Sequence, residues 1–172
     1  MLVDGVTVSP RYVAWLNDPE VVRFSEQRHR RHSEESCRDF VKSFDGVTAH
    51  IWAIEVDGQH VGNITAHRDI PNGTADIGIL LGERSAWGKG IGAAAYSAAA
   101  DWLLANECRM VTGGTMSVNA GMLRVFAKSG FMIDGRRPGF LLLDGEPVDM
   151  VYASRRLLAP MPDAETPEWL RA

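Results

Sequence analysis

Thr74-Ala75-Asp76-Ile77-Gly78-Ile79-Leu80-Leu81-Gly82, four further residues, and then Trp87-Gly88-Lys89-Gly90-Ile91-Gly92-Ala93 is the stretch that decides the fold. Branched apolar residues from Thr74 to Leu81 predict a strand. The alanine-rich run after Gly90 predicts a helix to about Asn106, with Ile91, Ala95, Ala98 and Trp102 on one face. The glycines fall at the strand-to-helix junction. There the first N–H groups of a helix have no internal partner and carry partial positive charge, which suits a phosphate. Glycine lets the backbone approach phosphate oxygens closely, and Lys89 adds a cation.

Upstream, Ile51–Val56 reads as a strand, Asp57-Gly58 as a hairpin turn, and Val61–His67 as the returning strand, interrupted by Gly62. Asn72-Gly73 is a second hairpin signal, so three antiparallel strands arrive in a row. Before them, Ser9-Pro10 opens a helix to Asn17. Ser33 caps another that runs to about Ser43 and buries Cys37, Phe40 and Val41. Downstream come a strand at 109–113 and a helix from Asn119 to Ser129 with Met122, Val125 and Phe126 inward. Strands at 131–135, 139–143 and 147–154 follow, the last two joined by Asp144-Gly145. A helix between two strands of one sheet favours a right-handed parallel crossover. The expected fold is α+β: a mixed sheet, mostly antiparallel, with one parallel βαβ crossover and flanking helices. Residues 1–158 form one domain and 159–172 a proline-containing tail.

The 172 residues carry 45% hydrophobic and 23% charged side chains, an ordinary globular composition. A formal charge of −4 argues against a general nucleic-acid binder. No apolar run is long enough for a membrane helix, and the N-terminus lacks the pattern of a signal peptide, so the expected location is cytoplasmic, with no membrane partner. Cys37 and Cys108 fit no metal or disulfide pattern, and the five histidines do not cluster, so no metal is expected.

Two phosphate-binding alternatives fall away. No GxxxxGK[ST] run exists. Gly90-Ile91-Gly92-Ala93-Ala94-Ala95 fits the dinucleotide fingerprint, but no carboxylate follows where that fingerprint needs one, at 109–114.

Residues 75–92 resemble motif A of the GNAT acetyltransferases, whose Q/R-x-x-G-x-G/A signature matches Trp87 to Gly92 except at Trp87. Asn119 followed by Arg124-Val125-Phe126-Ala127-Lys128-Ser129-Gly130-Phe131 resembles motif B. Trp15-Leu16-Asn17-Asp18-Pro19-Glu20-Val21 resembles the start of the Rim-type and aminosugar branches. The resemblance spans roughly residues 9 to 156.

It implies an acetyl-CoA-dependent N-acetyltransferase that works by direct attack of a primary amine. Trp87, Gly88, Lys89, Gly90, Ile91, Gly92 and Ala93 are implied to hold the pyrophosphate. Leu80, Leu81 and Gly82 are implied to pair with the pantetheine arm, with a main-chain N–H near Leu80 polarising the thioester. Strands 79–82 and 109–113 are implied to splay around that arm, which Asn119 touches and Phe126 packs beside. Asp76 stands where some members place a base; His67, Glu83 and Glu26 are alternatives. Phe126 stands where many relatives have a proton-donating Tyr.

The segment from Asn17 to His32, with Glu26, Arg28 and His29, is the expected acceptor pocket, together with His67. Its cationic stretch favours an acceptor with phosphate or carboxylate, which ranks sugar nucleotides beside protein N-termini and small amines. A homodimer through the final strands is a further expectation. The competing class is a non-catalytic CoA-binding sensor or partner module, for which the absent Tyr speaks.

Overall fold

The computed structural model describes residues 1–106 and 108–157; the tail expected at 159–172 lies outside them. Seven strands form one sheet: β1 (Leu2–Asp4), β2 (Ala49–Val56), β3 (Gln59–Asp69), β4 (Thr74–Leu81), β5 (Met110–Met116), β6 (Met132–Leu143) and β7 (Glu146–Arg156). Their order is β1-β2-β3-β4-β5-β7-β6. Every neighbouring pair is antiparallel except β4–β5, which is parallel. The helix that crosses between those two, α3 (Ile91–Ala105), completes the expected crossover. β1 was not anticipated, since three residues carry no periodic signal.

The helix starts follow from local chemistry. α1 (Pro10–Leu16) is capped by Ser9, whose hydroxyl accepts from the Tyr12 amide, with proline in the first turn. Ser33 and Ser36 form a reciprocal cap on α2 (Glu34–Lys42). Asn119 caps α4 (Ala120–Lys128). At two hairpins a pair of residues takes positive φ, Asp57 with Gly58 and Asp144 with Gly145, as a type I′ turn requires.

α3 and α4 cover one face of the sheet over a core containing Ile64, Ile77, Tyr96, Leu103, Val111 and Phe126. α1 and α2 cover the other, where Tyr12, Trp15, Leu16 and Cys37 gather with Leu80 packed against them. Both cysteines are free and buried. No described helix is long and apolar enough to cross a membrane.

Three expectations are corrected. α3 turns Gly92, Ala95, Tyr96, Ala99, Ala100 and Leu103 inward and leaves Ala98 and Trp102 exposed, because a helix of alanines offers little contrast between faces. Phe40 of α2 is exposed, set edge-on to Phe44 at 5.0 Å. The two strands expected at 131–135 and 139–143 are one strand, β6, which absorbs Pro138 and Gly139 through register shifts against β7.

Candidate active site

β4 and β5 are partners only where they begin. Thr74, Ala75 and Asp76 face Met110, Val111 and Thr112, and pairing then stops. Each strand runs on with its other neighbour, β4 with β3 as far as Leu81 and β5 with β7 as far as Met116. The sheet therefore forks at Ile77 and Gly113. The splay expected between 79–82 and 109–113 starts elsewhere on β5, since Met110 to Thr112 are paired.

A cleft of about 760 Å3 fills the fork. One wall is β4 from Ile77 to Leu81; the other is Gly114, Thr115 and Met116 of β5. Gly88, Gly90, Gly92 and Ala93 line the end where α3 begins, and Asn119, Met122, Arg124, Val125 and Lys128 of α4 stand across from them. Glu20, Val21, Phe24, Ser25 and Glu26, with Phe140, Leu141 and Met150, frame the rest.

The start of α3 is built to leave donors free. Gly90 is its N-cap at φ +82, with no side chain to cap it, and Gly88 sits at φ +73. A Cβ at either position would meet nothing within 4 Å, so positive φ, not crowding, calls for glycine. The first helical bond is from the Ala94 amide to the Gly90 carbonyl, which leaves the amides of Ile91, Gly92 and Ala93 without an intrahelical partner. Free amides at a helix start suit an anion such as a phosphate, and Arg124 and Lys128 of α4 line the same cleft.

The remaining predicted residues fall into two groups. Leu80, Leu81, Trp87, Gly88, Gly90, Gly92, Ala93, Asn119 and Glu26 stand in the cleft wall; Asp76, Gly82, Lys89, Ile91, Phe126, Arg28, His29 and His67 do not. Trp87 donates its indole N–H to the Leu81 carbonyl at 2.7 Å. The Asn119 side chain accepts from the Met122 amide at 3.1 Å and donates to Thr115 Oγ1 at 3.0 Å. Gly82 is buried under Trp15: a Cβ there would lie 2.1 Å from the indole. Phe126 is 1% exposed and packs against Tyr96 and Phe131 in the core.

Leu80 turns its carbonyl toward β3, where a Cβ on Gly62 would stand 2.3 Å from it. A strand residue points both backbone groups to the same side, and successive residues alternate. The amides that face the fork are therefore those of Ile79 and Leu81, not that of Leu80.

Asp76 sits on the last closed rung. Thr112 Oγ1 donates to its carboxylate at 2.9 Å, and His67 is its cross-strand neighbour. Asp76 keeps an exposed surface, yet the groups packed around its carboxyl desolvate it enough to raise its pKa, partly offset by the Thr112 hydrogen bond and by His67. His67 packs its ring on Phe44 at 5.5 Å.

Ion pairs lock the N-terminal segment over the fork. Arg84 reaches Asp18 at 2.7 Å and Glu20 at 2.5 Å, and Arg11 reaches Glu83 at 2.6 Å. The Arg84 guanidinium holds the Asp18 carboxyl below its ordinary range. Arg28 is spent structurally: it donates to the Ser25 carbonyl at 2.8 Å, to Glu26 at 3.0 Å and to the Leu142 carbonyl at 3.0 Å. Arg28, expected to meet an anionic acceptor, thus ties the segment to the β6–β7 hairpin, and the charges that this segment brings to the cleft wall are Glu20 and Glu26. Sequence reading missed Arg124 and Lys128 as cleft residues, although their spacing of four on a helix places them on one face. Nothing local marked Phe140 or Met150.

A sheet forked between two parallel strands, with an uncapped helix N-terminus at the mouth of the fork, defines a coenzyme A-dependent acyltransferase. Residues 9–132 match the family described as acetyltransferase (GNAT) domain, and the chain belongs to that family. It is an acyl-CoA-dependent N-acetyltransferase by class. No protein of curated function matches the sequence. Similar solved structures include RimL, a ribosomal L7/L12 alpha-N-protein acetyltransferase in complex with coenzyme A, at 18% identity and TM-score 0.80, covering 90% of this chain and 92% of that one. A microcin C7 self-immunity acetyltransferase, MccE, solved with acetyl-CoA and AMP, is similar at 17% identity and TM-score 0.77, covering 91% of each chain. The spermidine N-acetyltransferase of Vibrio cholerae, with CoA and spermine, gives 12% identity and TM-score 0.78, covering 91% of this chain and 94% of that one.

Proposed function

We propose that this chain acetylates a cationic amine, a protein N-terminus or a small polyamine-like molecule, by direct attack on acetyl-CoA bound in the fork. The observation that carries this reading is the open parallel pair ending on three unpartnered amides at Ile91, Gly92 and Ala93. Those amides hold the diphosphate. The pantetheine arm lies along the open edge of β4, and the Ile79 or Leu81 N–H polarises the thioester carbonyl. The amine nitrogen attacks the carbonyl carbon, the C–S bond breaks, and coenzyme A leaves as thiolate.

The amine's proton passes through water to Asp76. Its raised pKa and its place one residue before the cleft wall suit that task. Phe126 carries no proton, and Tyr96 is buried, its hydroxyl bound to the Ile77 carbonyl and its pKa pushed far up by burial. A thiol of pKa about 8.5 leaves readily without a donor.

The acidic mouth sets the acceptor class. Glu20 and Glu26 line it, each paired through one carboxylate oxygen with Arg84 or Arg28, so that the other oxygen can meet an ammonium and ammonium-bearing acceptors rank above sugar nucleotides. RimL and the spermidine enzyme are named for acceptors of that kind. A thiol-release assay with acetyl-CoA against N-terminal peptides, polyamines and UDP-aminosugars tests the reading. Turnover is expected with one of the first two groups; turnover with the sugar nucleotide alone contradicts the acceptor class. Tight CoA binding with no turnover on any amine favours the non-catalytic module, which the buried Phe126 also fits.

A further inference from the structure

Both strands of the fork continue past the last rung, yet they part, and at the parting stands Tyr96 of α3. It is fully buried, and its hydroxyl donates at 3.2 Å to the carbonyl of Ile77, the first residue of β4 beyond the closed rungs. On β5, Gly113 is the first residue beyond them. A Cβ on Gly113 would stand 2.0 Å from the Tyr96 hydroxyl and 3.3 Å from the Ile77 oxygen. Only a residue without a side chain lets the phenol reach in between the strands. Phe126 at 5.8 Å and Phe131 at 5.0 Å brace the ring, so close packing holds the hydroxyl there.

Trp87 performs a matching act at the far end of β4, where its indole N–H occupies the Leu81 carbonyl. By strand alternation, the carbonyls turned to the fork are those of Ile77, Ile79 and Leu81. The first and last are already satisfied by side chains of the protein itself.

We infer that Tyr96 is a wedge that sets where the fork opens, and that Tyr96 and Trp87 together leave Ile79 as the acceptor on the open edge of β4, so that an extended, amide-bearing arm seats in one register. This rests on the acetyl-CoA reading above. Tyr96 touches no reacting atom in this scheme; it is a positioning residue, and its effect falls on where the thioester comes to rest.

The variant Tyr96→Phe keeps the ring and its packing and removes the hydroxyl. The expected result is a folded chain whose coenzyme A affinity stays within about threefold, since the diphosphate cradle is untouched, while kcat falls roughly tenfold or more through misplacement of the thioester. Trp87→Phe, which frees only the Leu81 carbonyl, is expected to lower kcat less and to raise KM. Gly113→Ala alone is expected to lower the melting temperature. Combined with Tyr96→Phe it regains part of that temperature, because the methyl takes the hydroxyl's place while still standing 3.3 Å from the Ile77 oxygen and from the Phe126 ring, but it does not regain kcat.

Amide hydrogen exchange over 113–116 reads the fork without any turnover. Protection is expected to rise in Tyr96→Phe as the strands close by a rung. Unchanged protection with unchanged kcat overturns the wedge, as does a Tyr96→Phe chain that fails to fold, which makes Tyr96 a core residue alone. A parent chain that binds no coenzyme A sinks the acetyl-CoA reading instead, and the exchange measurement still decides the wedge.

Discussion

At the scale of single residues, Asp76 carries the heaviest chemical claim. Its carboxyl is raised by crowding away from water, so its ionised, proton-accepting form appears at higher pH than for an ordinary carboxylate of about 3.9. The acid limb of kcat/KM is expected to lie correspondingly high. Asp76→Asn is expected to abolish that limb and cut kcat by about 10- to 100-fold, while Glu26→Gln alters KM for the acceptor and leaves the limb in place. The sign for stability is the reverse. A carboxyl with a raised folded-state pKa favours the protonated form, so its stabilising contribution is present in acid and lost as pH rises through that value. At neutral pH the Asn variant is therefore expected to melt no lower than the parent in a thermal scan. A lower melting temperature together with unchanged kcat makes Asp76 a structural partner of Thr112 and nothing more. Sequence position alone placed Asp76 on β4, but its bond to Thr112 depends on the parallel register, which no local signal reports.

At the scale of elements, the fork works because α1 is fastened to the far end of β4. Trp15 lies flat over Gly82, with Arg11 and Glu83 paired beside it. Gly82→Ala forces a methyl into the indole, and overpacking of that kind costs about 1–3 kcal/mol. Equilibrium urea unfolding is expected to show a loss in that range, with an unchanged m-value; a loss below about 0.5 kcal/mol means that α1 shifts freely.

The same element shows what sequence reading reaches. Helix starts at Ser9, Ser33 and Asn119 and turns at Asp57-Gly58 and Asp144-Gly145 were legible because their chemistry lies within about four residues. The inward face of α3 was not, since alanines at 93–95 and 98–100 offer no apolar contrast. The place where the fork opens was also hidden: it depends on Tyr96, Ile77 and Gly113 meeting from three elements. Gly82 was read as a coenzyme A contact from its place in the motif, whereas Trp15 covers it. The cleft wall contributed by Phe140 and Met150 arrives from a hairpin near the end of the described chain, through long-range pairing alone.

At the scale of the whole molecule, the two helical layers pack on a sheet whose one parallel pair opens into the fork, and a ligand seated there joins both halves. Coenzyme A at about 100 times its Kd adds roughly 2.7 kcal/mol to the folded state. For a chain of this size that corresponds to a rise in melting temperature of about 5–10 °C. Gly92 lies where an added Cβ makes only ordinary contacts, at 3.6 Å from Val125 and 3.7 Å from Ile79, so a larger side chain there fills the slot while the fold survives. The decisive measurement is a thermal-shift titration of coenzyme A against the parent chain and Gly92→Val. The account predicts a saturable rise for the parent and, for a variant that melts within a few degrees of it unliganded, little or no rise. A parent that does not respond, or a variant that responds equally, contradicts it.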